Sequence, residues 1–96
     1  MTKILIYTKE ENLDYWIYKI TKNLKNYQFW REKESYLICN DLIKICIQTK
    51  LYESIRGHRW NEVILDAPIP EKMYYDNIYY NIYTGIKQTE NFELIK

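Results

Sequence analysis

Apolar residues fall along this chain in short blocks, and the spacing within each block differs. Lys3–Tyr7 (KILIY) is a continuous apolar run, the pattern of a strand covered on both faces. Thr8 follows, with Glu11 three residues on, a capping-box signature for a helix start. Leu13, Trp16, Ile17, Ile20 and Leu24 then recur at helical spacing, with Asp14, Lys19, Lys22 and Lys25 on the other side. These residues predict a helix over 12–25, ended by Asn23–Asn26. Tyr27–Arg31 is aromatic and strand-prone. Tyr36–Cys39 and Leu42–Gln48 read as two strands joined across Asn40-Asp41, residues that tolerate a tight turn. In the second, Ile43, Ile45 and Ile47 share one face, and Lys44 and Cys46 the other.

Residues 50–61 are polar and predict a loop. Glu62–Asp66 (EVILD) is a second doubly covered strand, and Pro68 and Pro70 forbid its continuation. Pro70 suits the first turn of a helix, predicted here over 71–83 and closed by Gly85. Tyr74, Ile78 and Ile82 lie along one face of that helix, with Tyr75, Tyr79 and Tyr83 beside them. The tail adds a short edge strand through Phe92, Leu94 and Ile95. The order β-α-β-β-β-α(-β) defines an α/β class, with α+β as the alternative: a three- to five-stranded mixed sheet with two helices, in a single domain over 1–96.

Composition sharpens this picture in a few places. Fourteen basic residues against thirteen acidic give a net charge of +1, which argues against a general polyanion binder. Eleven Tyr, three Trp and two Phe accompany heavy use of Ile, Asn and Lys, the bias of an A+T-rich coding sequence as in many phages and low-GC bacteria. Cys39 and Cys46 both sit in apolar runs and are expected to be buried and reduced. No apolar run approaches the roughly 18–20 residues of a membrane span, and the N-terminus lacks a signal-type segment. The expectation is a cytoplasmic protein, in the host cytoplasm if viral, with no membrane partner.

Ile43–Ile47, then Ile55-Arg56-Gly57, then Val63-Ile64-Leu65-Asp66 form the succession of strand, Arg-Gly loop and hydrophobic strand ending in an acid. Residues 42–67 thereby resemble the Walker B region of phage terminases and helicase-like P-loop ATPases. The resemblance implies a sheet with a parallel core. Two departures remove the activity that would go with it. The turn where a phosphate-binding loop would lie, Thr8-Lys9-Glu10-Glu11-Asn12, has no glycine to expose backbone N–H groups and carries two carboxylates. Ala67 stands where such an ATPase keeps its catalytic glutamate.

Other chemistry is sparse. His58, the sole histidine, lies between Arg56 and Arg59, which disfavour its protonation and its binding of metal. No metal-ligand spacing exists, and no cofactor or catalytic residue is expected. Arg56, His58, Arg59 and Trp60 form a basic-aromatic loop suited to anions or nucleic acid; the plainer account pairs the arginines with Glu53 and Glu62 and buries Trp60. Asp66, at the carboxyl end of a central strand, is the best functional acid for a small nuclease or nucleotide-binding enzyme, or else a cap on the following turn. Tyr75, Tyr79, Tyr80 and Tyr83 exceed what one sheet face can cover, and are candidates for a protein interface or a two-fold homodimer. The leading expectation is a non-enzymatic, phage- or mobile-element-encoded protein that binds a host protein, with host-defence inhibition as a subclass.

Overall fold

The apolar blocks form the strands and the long helix they predict. In the computed structural model, which describes residues 1–32, 35–50, 60–79 and 85–96, the elements run β1 (Thr2–Thr8), a 3-10 turn (Glu10–Asn12), α1 (Leu13–Asn23), β2 (Gln28–Glu32), β3 (Ser35–Cys39), β4 (Ile43–Gln48), β5 (Glu62–Asp66), β6 (Pro68–Pro70), α2 (Glu71–Asn77), β7 (Ile86–Gln88) and β8 (Glu93–Ile95). The main sheet has six strands in the order β2-β3-β4-β1-β5-β7, more than the three to five expected. β1 lies parallel between β4 and β5, and β7 continues the parallel half. β2, β3 and β4 form an antiparallel meander. The fold is therefore a mixed α/β sheet with a parallel core.

Alternation along β1 builds two apolar layers. Ile6 faces Leu13 and Trp16 of α1 together with Ile38, Ile45 and Ile47, and Ile17, Ile20 and Leu24 pack against the same cluster. Leu5 faces the opposite way, into a cluster with Leu37, Cys46, Trp60, Val63, Leu65, Ile69 and Ile78, against which Met73 and Tyr74 of α2 pack. The two helices thus cover opposite faces of the sheet.

Several local expectations change. The capping box does not form: Asn12 precedes α1 with no side-chain cap, and the Thr8 hydroxyl is used elsewhere. The helix is two residues shorter at its C-terminal end than expected, and Asn26 turns the chain into β2 at a φ of 55°, a region asparagine tolerates better than most residues. Asn40 makes the predicted turn, its Oδ1 accepting from the N–H groups of Leu42 and Ile43 at 2.8 and 3.0 Å. Pro68 and Pro70 do end β5, but they open a new strand. Among the described residues β6 pairs only with β8, in parallel and in a separate two-stranded sheet. A strand with one partner can turn its missing N–H groups away from the ladder. β8 consequently leaves the main sheet, whose edge is the unpredicted β7. Gly85, just ahead of β7, accepts from the Val63 N–H at 3.1 Å. Within the described residues α2 ends at Asn77; the rest of the predicted span, from 80 to 83, lies outside them.

Candidate functional site

In an open α/β sheet a ligand crevice forms at the carboxyl ends of strands where successive connections leave for opposite faces. Here that place lies between β1 and β5. After β1 the chain passes to α1 on one face, and after β5 it passes through Ala67 to β6 and α2 on the other. Thr8 and Asp66 close the two strands at the same level, as register partners.

The crevice is filled by the protein itself. Asp66 is 4% exposed and Thr8 is fully buried. Asp66 Oδ2 accepts from Thr8 Oγ1 and from the Trp16 indole N–H, each at 2.7 Å. Its Oδ1 accepts from Thr89 Oγ1 at 2.5 Å and Asn91 Nδ2 at 3.0 Å. Burial pushes the Asp66 carboxyl up, but the bonds from Thr89, Trp16, Thr8 and Asn91 together outweigh it and hold it below the ordinary aspartate range. Each oxygen accepts two bonds, which uses the capacity of an ionised carboxylate for donors arranged this way. The site ties β1, α1, β5 and the turn after β7 to one charge.

That turn is both tied to β5 and closed on itself. Thr89 N–H donates to Leu65 O at 3.0 Å, Phe92 N–H to Thr89 O at 3.1 Å, and Asn91 N–H to Thr89 Oγ1 at 3.2 Å. Asp66 does not cap α2, whose N-terminus carries no side-chain cap. Sequence reasoning missed Thr89 and Asn91, which have no local signature and lie 23 and 25 residues from Asp66. Trp16 was placed on the buried stripe, yet its indole N–H needs an acceptor once buried; that requirement was a usable signal.

The turn at the position of a phosphate loop carries Glu10 and Glu11 in its 3-10 segment, with Lys9 Nζ 3.8 Å from Glu11. Of the basic-aromatic loop, Arg56, His58 and Arg59 lie outside the described residues. Trp60 is 7% exposed within the core cluster beneath α2, so its ring is not a stacking platform. Glu62, the partner expected for an arginine, pairs with Lys87 at 3.0 Å. Among the described residues no group of His, Cys, Asp and Glu is arranged to hold a metal, and no helix is long and apolar enough to cross a membrane.

The tyrosines make the other candidate surface. Tyr75 and Tyr79 are 37% and 52% exposed and meet edge to face at 5.4 Å. Tyr74 contacts both, at 5.1 and 6.3 Å, and Phe92 behind them at 6.1 Å. Burial, with the neighbouring Tyr75 and Tyr79, raises the Tyr74 phenol above its ordinary value, so it stays protonated. Tyr80 and Tyr83 lie outside the described residues. Compared with known protein families, characterised proteins and solved structures, the chain matches none of them.

Proposed function

We propose that this chain is a non-enzymatic interaction protein that binds a different protein through the tyrosine surface of α2. The observation that carries this reading is the Tyr74–Tyr75–Tyr79–Phe92 cluster, anchored on the core side and open on the other. Rigid rings with polar tips supply contact area at low entropic cost, which is why they concentrate in interfaces. The saturated carboxylate of Asp66 supports the same reading, because an acid with every lone pair engaged offers none to a metal, a water or a substrate. The glycine-free, acidic turn after β1 does so too, leaving the likeness to P-loop ATPases as a matter of architecture. The A+T-type composition is in keeping with a phage or mobile-element origin, and for a small domain of that origin the reading takes a host protein as the partner and inhibition of a host defence as the outcome.

Affinity capture from host lysate, followed by titration of the purified partner, tests the proposal. Replacing Tyr75 and Tyr79 together by Ser is expected to weaken binding at least about tenfold, the loss of a modest hot spot, without unfolding the chain. Equal affinity of the double variant overturns the assignment of the surface. A gel shift that weakens steeply with salt would replace it with a phosphate-binding reading.

A further inference from the structure

At the opposite side of the sheet from β7 lies an edge of different character. We infer that two copies of this chain join through β2, antiparallel and two-fold symmetric about Trp30, to make one continuous twelve-stranded sheet. This surface is separate from the tyrosines of α2, and the inference does not depend on what they bind.

All five residues of β2, Gln28-Phe29-Trp30-Arg31-Glu32, are exposed, and among the described residues the strand pairs only with β3. Natural edge strands are normally protected from pairing by bulges, prolines, charged side chains (lysine above all) or very short length. β2 has no bulge, proline or lysine along its described length; its two charges, Arg31 and Glu32, are of opposite sign, and its ladder to β3 runs unbroken from Gln28↔Cys39 to Glu32↔Ser35. The other edge, β7, is only three residues long and carries Lys87, paired to Glu62.

Self-complementarity points to a second copy as the occupant. A two-fold axis normal to an antiparallel pair requires residues on the same face to meet, so the two residue numbers in each pair must sum to an even value. Centred on Trp30, the pairing sets Trp30 opposite its own copy, Phe29 opposite Arg31 and Gln28 opposite Glu32. Rings meet rings or a cation, and an amide meets a carboxylate. All five residues pair. Shifting the centre to Arg31 would oppose like charges, and centring on Phe29 would draw in Asn26, which lies outside the strand. Arg31 already lies over the Tyr36 ring at 5.2 Å, and Phe29 stacks on Tyr36 at 6.3 Å. One face of the joint is thus prearranged.

Area sets the strength. Tyr27, Phe29 and Trp30 are 41%, 45% and 39% exposed, which leaves roughly 80 Å² of each ring side chain to bury. With the backbone edge, the joint falls at or below the roughly 800 Å² per partner of a standard interface, so association depends on concentration.

Register makes the test specific. Opposed residues of an antiparallel pair have Cα atoms about 4.5–5.5 Å apart, within the range of a disulfide. Residue 29 and its copy would be two positions out of step and beyond about 7 Å, too far to bridge. In a Cys39→Ser background, Trp30→Cys is expected to form a covalent dimer under mild oxidation, and Phe29→Cys to form little. Light scattering of the unmodified chain should show mass rising toward the dimer with concentration. Trp30→Lys, which opposes two like charges, should weaken this at least about tenfold, while Tyr75→Ser with Tyr79→Ser should leave it intact. A monomer at every concentration, equal cross-linking at 29 and 30, or a dimer lost only with the tyrosines overturns the inference.

Discussion

Asp66 shows how a single residue can look functional in sequence and be structural in the fold. Its position at the end of β5 was legible; its burial was not, because the sequence read it as a functional acid in a crevice or as a cap on the following turn. Its donors were not, since Thr89 and Asn91 arrive from a turn whose local sequence carries no trace of a distant carboxylate. The cysteines were read more nearly in full. Both are free; Cys46 is buried as expected, whereas Cys39, near the β3–β4 turn, is only half-buried. Burial raises the Cys46 thiol, with smaller opposing effects from Ser35 and Gln48, and the thiolate is the reactive form. Labelling without denaturant is therefore expected to modify Cys39 first and Cys46 only on unfolding, as mass spectrometry of the peptides would resolve. Equal rates would contradict the packing of β4.

Elements with a strong period were the legible ones. α1 has five apolar residues at helical spacing, and β1, β4 and β5 are dense in β-branched and apolar residues; all four formed where expected. β7 was not foreseen, and the tail strand β8 was expected but not its pairing with β6, because three-residue strands carry no period to read. Their position depends on tertiary anchors, chiefly the Thr89 and Asn91 bonds to Asp66 and the β6–β8 ladder. Thr89→Val keeps the shape and removes one donor to a buried carboxylate, a loss of about 1.5–3 kcal/mol. Amide exchange at Thr89 and Phe92, whose N–H groups close this turn, is expected to accelerate more than exchange in β1. Unchanged exchange there would show that the turn is held by something other than Asp66.

Across the whole molecule, the architecture was legible as alternating strands and helices, and the parallel core was expected from the resemblance of residues 42–67. The candidate site was legible only as a location. What fills it depends on contacts between residues up to 58 apart, which no local pattern encodes. Because hydrogen bonding holds the Asp66 carboxyl below its unfolded value, its contribution to stability is complete at neutral pH. It diminishes as pH falls below about 3.9, the ordinary aspartate value, and through the lower folded one. The non-enzymatic part of the functional reading rests on this carboxylate being spent on the fold. Denaturant unfolding of Asp66→Asn beside the unmodified chain, at pH 7 and at acid pH, tests that most directly. An amide offers two of the four donors an N–H₂ in place of an acceptor, so the variant should lose at least about 3 kcal/mol at pH 7, and the gap should narrow in acid. Equal stability at pH 7 would contradict the account and return Asp66 to the role of a free functional acid.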